Sequence, residues 1–574
     1  IFARFDHKLS ASQQLTARWS SYDLASPNAR SVGGLNAESR GTRLDDHDRT
    51  IALTEVATLT PRTLSELRFQ FTRSRLDAPG NDLTGPAVSI AGVANFGAST
   101  SSPTGRDNDL YELGETLSFE RGAHLFKAGV DFLYNRLNIE FPGSLVAAVY
   151  SFPSLAAFQA GRYSTFQQAF GAPAQFQSNP NAGFFAQDEW KASPSLTLNL
   201  GLRYDLQLLP APIRLDRSNV GPRLGVAWSP GSRRTVVRAN YGLYYDRIPL
   251  RAVSNALQRD GTKYRVALEA YGQAGAPAFP AQLAAFPAGQ YVNITTIDPH
   301  IENSYAQQAG LQAERALGRA VTLTAGYQWV RALHLLLSRN LNVPTLSAAG
   351  ANAAGIPNLG RPDPRWGNVS RYEASGDSSF HGLLVSLRAH PGRGLELRAA
   401  YTLSKAIDDT GNFFFSTPQS NSNLRDDRGL SDNDQRHRLS VAAVLESPAR
   451  GALLGGWQLA PMFQYSSALP FNVQVNYDRN HDTNLNDRPA GVGRNTGRGF
   501  DFASLDMRLS RTFRAGEHCR VQALAESFNT LNRVNRSLPN NIIGTGTGAP
   551  LASFGRATAV YDPRQLQMGL RLDF

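Results

Sequence analysis

Long runs in which apolar and polar side chains strictly alternate leave a chain few ways to fold. From Leu196 to Leu208 every even position is apolar or aromatic, and every odd position is polar or glycine. Successive side chains on a β-strand point to opposite faces, so such a segment has one greasy face and one wet face. The pattern returns with Phe126, Ala128, Val130, Phe132 and Tyr134 against Lys127, Gly129, Asp131 and Asn135. It returns again at Val321, Leu323, Ala325, Tyr327 and Trp329, at Leu395, Leu397, Ala399, Tyr401 and Leu403, and at Leu505, Met507 and Leu509.

A soluble sandwich also alternates, but its strands are short and recur every 8–12 residues or so. Many runs here reach about 10–16 residues, which covers the ~9–11 of a tilted membrane strand. The connections fall into two kinds that take turns. Short links occur at 10–13, 60–62, 120–122, 192–194, 229–232, 317–319, 390–393 and 514–517. Between them run long Gly/Asn/Pro-rich stretches, roughly 24–47, 77–107, 137–178, 247–299, 339–366, 409–433, 476–499 and 533–560. Short turns on one rim and long loops on the other describe a transmembrane, antiparallel, up-and-down β-barrel with periplasmic turns and extracellular loops. Trp190, Trp228 and Trp457 lie beside short turns, where an interfacial girdle would hold them.

Composition removes the alternatives. No run of about 18 uncharged apolar residues occurs, so a bundle of membrane helices is excluded. Charged residues are 18% and aromatics 10%, which does not describe a disordered chain. The single cysteine, Cys519, rules out a disulfide framework and cysteine-rich metal sites. The net charge of +11 comes mostly from arginines interleaved with acids along the whole chain. A nucleic-acid footprint would be a clustered patch, so no nucleic-acid partner is inferred.

Two hairpin segments carry a resemblance. The run Asn181-Ala182-Gly183-Phe184-Phe185-Ala186-Gln187-Asp188-Glu189-Trp190, followed by Leu196-Thr197-Leu198-Asn199-Leu200-Gly201-Leu202-Arg203-Tyr204, resembles a hairpin of TonB-dependent receptor barrels. Three further segments resemble the Oar-like branch of that family: Phe5 to Ser10, Asp426 to Arg438, and Asn486-Asp487-Arg488-Pro489. In that branch a carboxypeptidase-regulatory-like domain and a plug precede the barrel. Residues 1–574 are therefore read as one receptor-like barrel domain in the outer membrane of a Gram-negative bacterium, N-terminally incomplete and without its plug. The tally of about nineteen strands is odd, whereas bacterial single-chain barrels have even counts. About three more strands at the front would make 22, a size associated with plugged transporters. The last strand places Leu570, Leu572 and the terminal Phe574 on one parity. This looks like the C-terminal signal of outer-membrane proteins and implies the barrel-assembly machinery as a partner. The resemblance further implies membrane lipid, a plug in the lumen and the TonB energising complex as partners.

No catalytic constellation is present. G-x-S-x-G, H-E-x-x-H, the phosphate-binding G-x-x-x-x-G-K-[ST] and C-x-x-C are all missing, and the ten histidines are scattered. The chain is read as a non-enzyme that requires no cofactor. Calcium is considered at one tract, where Asp478, Asn480, Asp482 and Asn484 set oxygen side chains at every second position. The tract departs from a calcium loop at Thr483, which replaces the turn glycine, and at Pro489, which replaces the bidentate acid. A loop whose Asn and Asp side chains cap their own turns is the favoured reading.

On the polar parity, Arg203, Asp205, Arg238, Glu396, Arg398, Asp506 and Arg508 are expected to face the lumen, because charges facing lipid are costly. Substrate-binding residues are not identifiable beyond the long loops and the lumen face. The leading functional reading is TonB-dependent uptake of a substrate captured by extracellular loops. A surface interaction or adhesion barrel, or a passive porin without energised import, are the alternatives.

Overall fold

The computed structural model describes all of the chain except residues 101–103, 141–147, 173, 232–233, 393, 448–450, 452–454 and 516–518, and the side chains of 514–515. The turn positions read from the sequence at Ser232, Arg393, Gly516 and Glu517 lie outside the described residues.

Among the described residues, nineteen long strands form one antiparallel wall. The first six are β1 (Phe2–Ser10), β2 (Gln13–Arg30), β3 (Thr42–Thr60), β4 (Thr63–Ala78), β5 (Thr104–Arg121) and β6 (His124–Glu140). They are followed by β7 (Ala174–Ser193), β8 (Leu196–Gln207), β9 (Val220–Trp228), β10 (Thr235–Tyr245), β11 (Tyr305–Leu317) and β12 (Val321–Asn340). The wall ends with β13 (Trp366–Gly392), β14 (Leu395–Asp408), β15 (His437–Glu446), β16 (Trp457–Ser466), β17 (Phe502–Ala515), β18 (Cys519–Phe528) and β19 (Gln565–Asp573). Each strand pairs with the next in sequence from β1 to β19, which is the up-and-down order. Two short strands complete the 21-stranded sheet: Val292–Ile297 runs parallel to the start of β13, and Gly429–Leu430 pairs with the end of β14. β1 pairs only with β2, and β19 only with β18, among the described residues.

The register puts like with like. Asn199, Gly225, Asn240, Gly310 and Gln328 fall opposite one another across β8 to β12, and Leu200, Leu224, Tyr241, Ala309 and Trp329 form the adjacent row. The polar row lines a concave furrow of about 650 Å³ that reaches from β8 to β14. The apolar row covers the convex side, where Leu202, Leu224 and Leu311 are about half exposed. A water-soluble protein would bury such a band. In an outer membrane, lipid covers it. No helix among the described residues is long and apolar enough to cross a membrane, which leaves crossing by strands untouched.

Tight turns follow β1, β3, β5, β7 and β11, and the long connections all lie on the opposite rim. Among the described residues the structure shows nine long connections where the sequence marks eight; the ninth, 208–219, lacks the Gly/Asn density that marks the others. The strands also run further than alternation indicates. β2 and β3 extend to Arg30 and Thr42, so the predicted 24–47 loop shrinks to 31–41. In that extension both faces are mixed, Leu24 and Leu44 sharing one with Ser26 and Asp46 and Ala25 sharing the other with Asp45 and His47, so hydrophobic periodicity gives no signal. Asp23, held by Arg49 at 2.7 Å and His47 at 2.6 Å, ties the two strands together there.

The long connections are folded rather than irregular. Strands Ala87–Ile90, Ala94–Phe96, Val149–Phe152, Thr165–Gly171 and Tyr264–Glu269 build a second, five-stranded sheet on the loop rim. Its core is aromatic: Tyr150, fully buried, contacts the rings of Tyr163, Phe166 and Phe279 at 4.9–5.0 Å. A second core packs the helix Leu250–Gln258 through Ala252, Val253 and Ala256 against Ile213, Ile248, Ile297, Leu336 and Tyr372.

The two faces predict opposite responses to the same substitution. Leu224→Arg on the convex side should cost about 2–4 kcal/mol in a bilayer. Gln312→Arg on the furrow should change stability by less than about 0.5 kcal/mol. Denaturant unfolding in lipid vesicles would reverse the assignment of faces if the two costs were exchanged.

Candidate functional site

The charged side chains on the polar parity are largely engaged with one another. Arg203 lies 2.9 Å from Asp131 and 2.7 Å from Asp205. Arg398 donates to Glu396 at 2.6 Å, and Arg508 stands 3.8 Å from Glu526. Arg238 lines the furrow itself. Asp506 makes a different connection, accepting from the Ser504 hydroxyl and from the Asn529 N–H, both at 2.8 Å. It thereby ties β17 to the start of the connection that follows β18.

The two loop segments singled out in the sequence, Asp426–Arg438 and Asn486–Pro489, meet in space. Arg488 donates to the Asp427 carboxylate at 2.6 Å and to the Asp426 carbonyl at 2.7 Å, and Arg488 and Asp427 are both buried. The other Asp427 oxygen accepts the Gln419 N–H at 2.7 Å. Nearby, Arg494 pairs with Asp408 and reaches the Thr410 carbonyl at 2.9 Å and Asp432 at 3.3 Å. Asn495 donates to Asp432 and to the Leu430 carbonyl, each at 2.7 Å. The knot clamps two connections, 409–436 and 467–501, to the end of β14. The sequence shows that Asp426–Arg438 is a charged loop running into a strand. It does not show that the partners of its acids are arginines about 60 residues further on.

The tract considered for calcium lies beside this knot. Asp478 accepts the N–H groups of Asp482 at 3.1 Å and Thr483 at 2.8 Å. Asn480 also accepts from Asp482 N–H, at 3.0 Å, and Asp482 accepts from Asn484 N–H at 2.9 Å and from the Asn421 side chain at 2.7 Å. These side chains cap their own turns in the manner of Asx turns. Burial pushes the Asp482 carboxyl above its ordinary range, with Asp478 and Asp487 adding to the effect. Among the described residues no three His, Cys, Asp or Glu side chains are grouped to hold a metal ion.

The most site-like feature is a cavity of about 820 Å³ under the loop cap. Its floor is the polar parity at the loop-side ends of β3 to β6, through Asp46, Ser74, Leu76, Arg106, Asn108, Leu137 and Ile139. One side comes from the helix Leu250–Gln258 and its C-cap, through Leu250, Arg251, Asn255 and Arg259. The other side is Phe413-Phe414-Phe415 from the 409–436 connection. Phe414 anchors that segment on Tyr372, ring to ring at 5.7 Å, and Asn255 steadies Tyr372 with a 2.8 Å hydrogen bond. Phe413 and Phe415 stack at 5.1 Å with planes 6° apart and remain 62% and 55% exposed. Arg251 is shifted below its ordinary value, chiefly by burial and then by the nearby Arg106 and Arg259. None of these residues was singled out from the sequence. The Phe triplet within a polar loop is the one local signal that could have drawn attention.

At the C-terminal end, Leu570, Leu572 and Phe574 share a face of the β19 segment and are exposed. Cys519 opens β18 and is half-buried.

A wall with lipid-type exterior, wet concave face and segregated loops is that of an outer-membrane β-barrel. Comparison with known proteins agrees: the family model described as "Outer membrane beta barrel domain" matches residues 1–214, 207–493 and 490–567, and the chain belongs to that family. Among curated proteins, the TonB-dependent transporter Oar of Myxococcus xanthus is 23% identical over 487 residues, covering 72% of this chain and 42% of the relative. The chain thus spans less than half of that relative's length. Among solved structures, the outer membrane transporter YddB from Escherichia coli superposes with a TM-score of 0.66 at 13% identity, covering 100% of this chain and 68% of that one. The siderophore receptor PirA from Acinetobacter baumannii gives 0.59 at 10% identity, covering 100% and 70%. At such identities the structural matches speak for the fold. The relatives are named as transporters and receptors, and the protein resides in the Gram-negative outer membrane.

Arg488→Met should destabilise the loop cap by about 3–5 kcal/mol, since Asp427 would be left buried without its cation. Joining it with Asp427→Leu should restore most of the loss, read as hydrogen-exchange protection of the 409–436 segment. Calorimetric titration of the protein with calcium should show no heat from the Asp478–Asn484 tract. A stoichiometric exotherm lost in Asp482→Asn would reinstate the cation reading.

Proposed function

We propose that this chain is the barrel of an outer-membrane importer that captures its substrate in the folded extracellular cap and passes it through the lumen with energy from a TonB-type complex. The observation that carries this reading is the cavity under the cap. It opens on the same polar parity that continues down the wall, so a ligand held there already stands on the wet face of the barrel. An adhesion surface needs no such inward-facing chamber, and loops this long and this ordered are functional as a rule.

The same reading places a plug in the lumen, against which charges such as Arg203, Arg238, Arg398 and Arg508 would stand. It assigns further strands to the free edges of β1 and β19, because unpaired peptide groups in hydrocarbon cost several kcal/mol each. Leu570, Leu572 and Phe574 would then serve as the assembly signal. The name of the Oar relative supports a transporter, and the two loop segments that resemble that branch, Asp426–Arg438 and Asn486–Pro489, lie in the cap.

Uptake measured in cells carrying the full-length gene, with and without the energising complex, tests the proposal. Labelled solute from the growth medium should accumulate only when both are present. Binding without accumulation would mean an adhesion barrel, and equal flux without the complex would mean a porin.

A further inference from the structure

We propose that the short-turn rim of the wall is a ring of cations that selects anionic phospholipid, of the phosphatidylglycerol type, from the membrane leaflet around it. The inference goes beyond the importer reading and holds equally for a barrel that imports nothing.

Nine links join the strands on this rim, and each has a lysine or arginine within three residues of it. Lys8, Arg62, Arg121, Lys191, Arg234 and Arg319 serve the first six links in order, and Arg520 stands beside the last. The other two links hold Arg393 and Arg450, which lie outside the described residues. The seven described side chains are all exposed. None of them has a carboxylate partner among the described residues. Acids are fewer in the same stretches: Glu120, Glu396, Glu446 and, outside the described residues, Glu517. Glu396 is already taken by Arg398.

The loop-side end of the convex face is built differently. There Arg49 meets Asp23 at 2.7 Å, Arg73 meets Asp109 at 2.7 Å and Arg331 meets Asp377 at 2.8 Å. Those charges close on one another, whereas the cations of the short turns are left for something outside the protein. A surface of opposite charge gathers such groups, and each Lys or Arg near an anionic membrane adds to the attraction.

Two observations make that surface a lipid leaflet. The first is depth. Trp190 directly precedes Lys191, Trp228 closes β9 and Trp457 opens β16, and all three indoles are exposed on the convex side. Indoles in that position mark the membrane–water interface, so the cations beside them stand level with the lipid phosphates. The second is distribution. A protein docking from one side would meet a patch, but here the positive charge returns at link after link along the whole wall, as an annulus of lipid requires. A zwitterionic headgroup brings its own ammonium to the ring and partly cancels the attraction. An anionic phosphodiester without an ammonium keeps all of it, with guanidinium N–H groups donating to its oxygens.

The test uses the full-length protein in vesicles of phosphatidylethanolamine and phosphatidylglycerol. Electron spin resonance of spin-labelled phosphatidylglycerol and phosphatidylethanolamine reads the fraction of each held at the protein surface. The anionic label should be favoured by about threefold at low salt, and the preference should fall towards unity as salt rises. Joining Arg62→Gln, Lys191→Gln, Arg234→Gln and Arg319→Gln should remove at least half of the preference. Arg136→Gln with Lys405→Gln, which neutralises two exposed cations at the loop-side end of the convex face, should leave it unchanged. Heat-modifiable migration on gels and circular dichroism would verify that each variant keeps its fold. Equal association of the two labels with the wild-type protein would overturn the proposal. So would full preference in the folded four-site variant, or an equal loss in the loop-side pair. Purified peptidoglycan captured by a wild-type protein that shows no lipid preference would assign the ring to the cell wall instead and overturn it as well. Lipid association is read at equilibrium without an energising complex, so its outcome is independent of whether the barrel imports.

Discussion

A peptide group facing hydrocarbon has no water to bond with, and the rest of this molecule follows from how its peptide groups are satisfied. The antiparallel ladder from β1 to β19 pairs each strand with its neighbour and leaves the side chains to sort themselves by face. Once the ladder exists, a one-residue slip would turn the leucines of the convex side toward water and the lumen-parity arginines, such as Arg203, Arg238 and Arg398, toward lipid. At about 2–4 kcal/mol for each arginine at the bilayer midplane, register is set by the whole wall at once. Bulges at the tight turns, as between Trp190 and Ser193, absorb local irregularity without disturbing it.

Beyond the wall the physics changes. The cap is surrounded by water, and it is stabilised as a soluble domain is, by an aromatic core around Tyr150 and a helix packed on Ile297 and Leu336. What distinguishes it is the use of buried ion pairs as cross-links. Arg488 and Arg494 each gather carboxylates and carbonyls from segments far apart in sequence. Such pairs add little net stability over an apolar substitute, since both partners lose their hydration. They do specify position, because only one arrangement of the loops satisfies every donor. A cap assembled this way holds Phe413 and Phe415 in place beside the arginine chamber.

The transmembrane part was readable because two features survive in one dimension: alternation with a period of two, and the segregation of turn lengths. Leu196–Leu208 carries the first so clearly that its partner strands follow from spacing, and the nineteen-strand tally agrees with the wall. The connection at 208–219 and the extensions of β2 and β3 were missed for a physical reason. Outside the membrane neither face needs to be apolar, so the alternation that reports a strand disappears while the hydrogen bonds continue.

The amino-acid order by itself determined that this chain spans an outer membrane as strands, which face meets lipid, and that its loops lie on one rim; each depends on neighbours in sequence. Tertiary structure alone decided that Arg488 reaches Asp427, and that Arg106, Arg251 and Arg259 share one chamber with the Phe413–Phe415 stack. Those contacts join residues about 60 to 300 positions apart through a folded cap, and no local period encodes a distance that only the closed packing of several loops brings about.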